Sequence, residues 1–236
     1  MHAPSIRGER RCNTLLGALS EDDYRTLAPS LQPVHLSRKT IVGTRGAPIS
    51  HVHFPCGAVL SVLAFMQSGA AVEVGTIGRE GFFGLELLVG GTEWTETTVC
   101  QIEGPSLRMA ARDFLDAVTG PTPLRELAQR YLMIYLALVS QSVACNRLHN
   151  IEERFARWML MTHDRVDGDD FFLTQDFIAD MLGVHRPSVS LVAGAFQQAG
   201  LIKYSRGLMT ILSREGLEEA SCECYAATAG QFAKMK

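Results

Sequence analysis

Residues 173–212 read LTQDFIADMLGVHRPSVSLVAGAFQQAGLIKYSRGLMTIL, a run whose cationic and hydroxyl side chains are spaced to meet a nucleic-acid backbone and base edges. Thr174 can cap a helix whose buried side is Phe177, Ile178, Met181 and Leu182, and Gly183 then supplies a tight turn. A second helix starts near His185 and Arg186, with Pro187 in the first turn, where a missing N–H is harmless. Val189, Val192, Ala193 and Phe196 recur at i, i+3, i+4 and i+7, so they form its core stripe. Two short helices around a Gly-containing turn make a helix-turn-helix, with the second as recognition helix.

The chemistry follows from the residue types. Arg186 is expected to contact a base, because a guanidinium pairs with guanine O6 and N7. Ser188 and Ser190 suit phosphate or base edges, and Leu191, apolar on the outer face, suits a thymine methyl. Residues 201–204 and 208–212 flank Ser205-Arg206-Gly207 as a hairpin wing. Its Lys203 and Arg206, with Thr174 and Gln175 at a helix N-terminus, are expected to position phosphates, and His185 is grouped with these DNA-facing residues, with a helix cap alone as its alternative role. No Asp or Glu occurs from Met181 to Ser213, where composition predicts about three to four. A phosphate-facing surface must avoid carboxylates, so this local balance outweighs the net charge of −3.

Other reactive residues are sparser. Of the six cysteines (Cys12, Cys56, Cys100, Cys145, Cys222, Cys224), only the last two are close in sequence, so neither a disulfide framework nor a tetrahedral zinc site is expected. Reduced structural thiols are the default reading, with Cys56 and Cys100 as the redox candidates. His51 and His53 share a strand face but lack an identifiable third ligand, so they read as ordinary strand histidines. No cofactor or metal is expected. Neither paired carboxylates, a nucleophile with its base, nor a phosphate loop argues for catalysis.

These residues need elements to hold them. The 236 residues are 47% hydrophobic and 20% charged, the composition of a folded chain of one or two domains. The N-terminal residues 1–17 have no apolar run after Arg7, Arg10 and Arg11, so a secretory leader is not expected and a cytoplasmic location is. Thirteen of the 21 glycines precede residue 119, where short apolar runs at 40–42, 51–54, 58–65, 71–77, 98–102 and 106–109 predict an antiparallel barrel or roll. Short helices are predicted at 21–27, capped by Ser20, and around 111–118. Between them and the helix-turn-helix, Leu124, Leu127, Tyr131, Ile134, Leu138, Gln141 and Cys145 are spaced 3, 4, 3, 4, 3, 4. That spacing predicts a long helix over 123–145 whose stripe is a homodimer seam, in preference to a core helix or a membrane span. Another helix is predicted at 151–163, before an acidic turn at 167–170.

Taken together, GVHRPSVS (183–190), NRLHNIEERFARWMLM (146–161) and TIGREGFFGLELL (76–88) resemble the Crp/Fnr superfamily of bacterial transcription factors along almost the whole chain. The resemblance implies an α+β architecture of an N-terminal, jelly-roll-like antiparallel β-roll (1–118), a dimerisation helix and hinge (119–148) and a C-terminal winged helix-turn-helix (149–236). It implies a homodimer on a two-fold symmetric site in double-stranded DNA, with RNA polymerase contacts deciding between activation and repression and no membrane partner. Family members that bind a cyclic nucleotide carry a motif similar to F-G-E-L followed about ten residues later by Arg-Ser. Here the effector-pocket candidates are Gly84, Leu85 and Glu86, with Thr95 and Glu96 where Arg-Ser would stand. No Lys or Arg occurs from Glu80 to Leu107, so cyclic AMP in the usual mode is not expected, and Glu86 reads as a solvated strand-end carboxylate. Cys12 alone near the N-terminus does not support the four-thiolate cluster of oxygen-sensing members. The sequence names no small-molecule effector. The contrasting reading is a small-molecule-binding or enzymatic β-roll whose C-terminal region only mediates assembly.

Overall fold

A computed structural model describes residues 10–234 of the chain, so the first nine residues of the stretch read for a leader lie outside the described residues. Two compact units divide it. One takes the described residues up to Leu60 with Ile77–Tyr135, the other Ser61–Thr76 with Leu136–Lys234. The division does not follow chain order, since a hairpin from the strand-rich half groups with the C-terminal helices.

Local chemistry explains most elements. Helix α1 spans Thr14–Gly17, with the Asn13 side chain accepting from Leu16 N, and α2 spans Glu21–Leu27, with Ser20 Oγ accepting from Asp23 N at 3.1 Å. Three acids in the first turn of α2 suit the positive end of its dipole. Strands β1 (Gln32–Leu36), β2 (Ile41–Gly43), β3 (His51–Pro55), β4 (Val59–Phe65), β5 (Ala71–Ile77), β6 (Thr97–Ile102) and β7 (Gly104–Ala110) follow. One sheet has the order β1-β7-β3, with Val34 opposite Ser106 and Val52 opposite Met109, and the other has β2-β6-β4-β5. Phe82 sits at the centre of an aromatic core, its ring 5.6 Å from Phe54, 5.2 Å from Phe114 and 5.7 Å from Tyr131. Phe114 comes from α3 (Ala111–Ala117).

Helix α4 runs over Pro123–Leu148, 26 residues or about 39 Å at about 1.5 Å per residue. Thr122 Oγ1 caps its start by accepting from Arg125 N at 3.2 Å. The expected seam is corrected here. Leu124, Tyr131, Ile134, Leu138 and Cys145 are buried within their own chain, with Tyr131 packed beside Gly81 and Phe82, and Leu127 and Gln141 are half-buried. The unpartnered apolar stripe is Met133, Leu136 and Val143, exposed by 66%, 50% and 66%. A 3/4 spacing shows that a helix face is covered but not what covers it, and α4 carries two such stripes.

Helix α5 (Ile151–His163) opens with a capping box in which Asn150 Oδ1 accepts from Glu153 N at 2.9 Å and Glu153 Oε2 from Asn150 N at 3.0 Å. Beyond it come β8 (Asp170–Phe172), α6 (Gln175–Leu182), α7 (Arg186–Gln198), β9 (Ile202–Ser205), β10 (Leu208–Ile211), α8 (Arg214–Ala220) and α9 (Cys224–Ala233). The sheet here has the order β8-β10-β9, so Asp170 begins a strand where an acidic turn was expected. None of the described helices is long and apolar enough to cross a membrane.

The cysteine expectation is also corrected. Cys12 and Cys56, 44 residues apart, are joined as a disulfide with their Cα atoms 4.7 Å apart. Cys145, Cys222 and Cys224 gather in one buried cluster. Both groupings come from tertiary folding, which sequence spacing does not display.

Candidate nucleic-acid interface

Thr174 caps α6, its Oγ1 accepting from Phe177 N at 3.2 Å, and Gly183 ends that helix at φ +62. This left-handed conformation favours glycine and turns the chain within two residues into α7. His185 occupies the N-cap position of α7, but its side chain makes no capping hydrogen bond, which corrects the alternative role of a helix cap. Pro187 sits in the first turn, and Val189, Val192, Ala193 and Phe196 are all buried. Phe196 meets the Phe155 ring edge-on at 5.3 Å, anchoring α7 to α5.

The face opposite that anchor is open. Leu191 is 76% exposed, the largest value among the exposed large apolar side chains of the described residues. Arg186 and Ser190 are exposed and Ser188 is half-buried. Ser190 Oγ donates to Gln175 Oε1 at 2.7 Å, which brings two of the expected DNA-facing residues together across the two helices. Arg186 Nε lies 3.4 Å from Asp176 Oδ1, with both side chains about two-thirds exposed. The carboxylate missing from residues 181–213 is therefore supplied by the preceding helix. Such an exposed pair contributes only about 0–1 kcal/mol, so it orients the guanidinium without committing it.

The wing is built as a two-residue hairpin. Leu208 pairs with Ser205 and Ile211 with Ile202, leaving Arg206 and Gly207 at the tip with φ +51 and +87. Both positive values fit the tight turn whose twist matches the flanking strands. A Cβ on Gly207 would fall 2.4 Å from the Phe172 ring, so glycine is also required by β8. Lys203 and Arg206 are exposed on this ribbon. Tyr204 locks it in place: its hydroxyl donates to Leu173 O at 2.8 Å and its N–H to Gln197 Oε1 at 2.8 Å.

The effector-pocket candidates are arranged differently. Glu86 lies in a 3-10 turn, Leu85–Val89, rather than at a strand end. Its Oε1 accepts from Thr95 N at 3.2 Å and Thr95 Oγ1 at 2.9 Å, so the two candidates engage each other. Leu85 is buried, Gly84 takes φ +124, and Glu96 is half-buried. His53 is buried, and that burial, with His51 and Arg108 adding to it, holds its imidazole down at about 4. It is therefore neutral near pH 7. Burial pushes the Cys100 thiol up to about 12, and Cys56 is held in its disulfide, so neither presents a reactive thiolate.

One polar site went unread in the sequence. Glu73 of β5 is buried, and its Oε1 accepts from Trp158 Nε1 of α5 at 2.9 Å and from Thr76 Oγ1 at 2.7 Å. Burial raises its carboxyl above the ordinary range, against these hydrogen bonds and the nearby Arg165. Nothing in the strand pattern marks a carboxylate for burial.

Residues 153–220 match the Crp-like helix-turn-helix domain family. The fold is similar to that of a Eubacterium rectale protein assigned to the Crp/Fnr regulators (17% identity, TM-score 0.67, 89% of this chain and 98% of that one). It is also similar to a CRP-family transcriptional regulator from Thermus thermophilus (20% identity, TM-score 0.67, 80% and 96%). FixK2 from Bradyrhizobium japonicum is alike at 13% identity, TM-score 0.69, with 81% and 98% covered. No curated protein matches the chain. The resemblance read in the sequence thus holds for residues 153–220 as a Crp-like helix-turn-helix domain and for the chain as an α+β fold shared with these structures.

Proposed function

Starting from a Crp-like helix-turn-helix domain on the fold of Crp/Fnr regulators, we propose that this chain is a cytoplasmic homodimer that binds a two-fold symmetric site in double-stranded DNA and regulates transcription. The observation that carries the reading is the open face of α7, where Arg186, Ser190 and Leu191 stand exposed over a fully buried opposite stripe. Arg186 reads a base, Ser188 and Ser190 meet phosphate or base edges, and Leu191 touches a thymine methyl. Lys203, Arg206, Thr174 and Gln175 position the backbone. The second copy docks on Met133, Leu136 and Val143, the stripe of α4 that its own chain leaves uncovered. In this reading residues 1–118 act as a sensor-like roll, 119–148 as dimerisation helix and hinge, and 149–236 as the DNA-binding part.

Cyclic AMP is not the effector in this reading, because the cation that would meet its phosphate is absent and Glu86 is already engaged by Thr95. RNA polymerase is the further partner through which a bound dimer would act. Selection from a random DNA pool with the full-length protein, followed by titration at rising salt, tests the proposal. An enriched inverted repeat with half-site centres roughly 34 Å apart, and affinity falling steeply with salt, is expected. Failure to enrich any sequence would overturn it.

A further inference from the structure

Outside the helix-turn-helix, four metal-ligating side chains converge on one point. Among the described residues, Cys145, His149, Cys222 and Cys224 place one ligand atom each within 4.8 Å of all the others, with the three thiols buried and the imidazole half-buried. Cys145 and His149 are four residues apart, so one helical turn puts them on the same face at the end of α4, where His149 N still donates to Cys145 O at 3.1 Å. Cys222 and Cys224 flank Glu223 where α9 begins. The site thus joins two elements 77 residues apart in sequence.

The distances suit a single ion. Cys145 Sγ and Cys222 Sγ are 3.6 Å apart, and Cys224 Sγ and His149 Nδ1 are also 3.6 Å apart. Donors bound tetrahedrally at about 2.3 Å for sulfur and about 2.05 Å for nitrogen stand about 3.8 Å (S to S) and about 3.6 Å (S to N) from each other. A disulfide would need about 2.05 Å between sulfurs, so these thiols are gathered without being bonded.

The surroundings also match a metal centre. His149 Nε2 lies 3.1 Å from Glu223 Oε2, which fixes the tautomer with the Nδ1 lone pair turned toward the thiols. Gln141 Nε2 donates to Cys224 Sγ at 2.9 Å, a bond that strengthens when the sulfur is a thiolate. We infer that Cys145, His149, Cys222 and Cys224 form a closed, tetrahedral Cys3His zinc site that clamps the end of α4 to the start of α9. Three thiolates and one imidazole select zinc among common divalent ions, and four protein ligands leave no open position for catalysis. Binding releases the three thiol protons to solvent as three Zn–S bonds form, so occupancy falls on acidification.

Metal analysis of the full-length protein, purified without added metal, tests this. About one zinc per chain is expected, falling to below about 0.1 in the Cys222→Ser/Cys224→Ser double variant. Since that variant could unfold, the wild-type protein is also stripped with a chelator and titrated with Co2+ alone. Stoichiometric uptake should give the intense visible bands of tetrahedral cobalt together with thiolate-to-cobalt charge transfer. His149→Cys should keep the metal, whereas His149→Ala should weaken its affinity at least about tenfold. Protein that arrives metal-free and takes up neither Co2+ nor Zn2+ at micromolar concentrations would overturn the site, as would zinc that persists unchanged in the double variant. Iron in place of zinc would overturn the metal assignment.

Discussion

Polar residues in the β-roll and in the winged helix-turn-helix face opposite fates. In the roll, Glu86 is engaged by Thr95, His53 is buried and neutral, and Cys56 is closed in a disulfide. In the winged helix, Arg186, Ser190, Lys203 and Arg206 stay exposed, and the contacts of Arg186 and Ser190 lie within the two helices. Side chains satisfied internally build the fold, while those held outward on a rigid frame are left for a partner. Helix α4 shows both in one element, since Leu124, Tyr131 and Leu138 turn inward and Met133, Leu136 and Val143 outward.

The sharpest way to break that contrast is to attack the outward stripe of α4. Leu136→Asp with Val143→Asp puts four charges into the proposed seam of a dimer. Sedimentation should then report monomers, and DNA affinity should drop roughly 10²–10⁴-fold as the second half-site is lost. A stable dimer with unchanged affinity would mean that this stripe serves no second copy.

The inward residues of the roll predict a pH effect instead. His53 sits at about 4 when folded, against 6.5 for an ordinary histidine, so on acidification the unfolded chain takes up its proton first. Its contribution to stability is complete above about pH 6.5 and is lost as pH falls through about 4, a change of about 3 kcal/mol. Urea unfolding at several pH values should show this slope in the wild-type protein and lose it in His53→Leu. Glu73 works the other way. Its raised carboxyl keeps a proton that the unfolded chain has released, so its contribution shrinks as pH rises through its ordinary range. Glu73→Gln keeps acceptors for Trp158 and Thr76 and should flatten that opposing slope. An unchanged slope would show that Glu73 is ionised in the folded protein.

Much of this contrast was legible in the sequence where the deciding chemistry is local. Caps at Ser20 and Thr174 act within three residues of themselves, and the helices at 21–27 and 151–163 begin and end as expected. Gly183 and the Arg206-Gly207 tip marked both turns of the winged helix for the same reason. What stayed hidden depends on distant partners. Strand β1 carries Pro33 and is mostly exposed, so it lacks an apolar run and takes its pairing from β7. Spacing could not tell which stripe of α4 its own chain covers, nor that Asp176 would reach Arg186 from the preceding helix. The zinc ligands pair C-x3-H with C-x-C across an intervening domain, and neither half is a metal motif alone.

The central claim is that α7 reads bases while the wing only positions the backbone, and competition binding of two single variants against a library of half-site mutants tests it most directly. Arg186→Ala should cost about 1–3 kcal/mol at the preferred site and relax preference at one base pair per half-site. Arg206→Ala should weaken every sequence alike and lower the salt slope by about one per phosphate contact. If Arg206→Ala instead changes base preference while Arg186→Ala weakens all sites equally, the assignment of recognition helix and wing is contradicted.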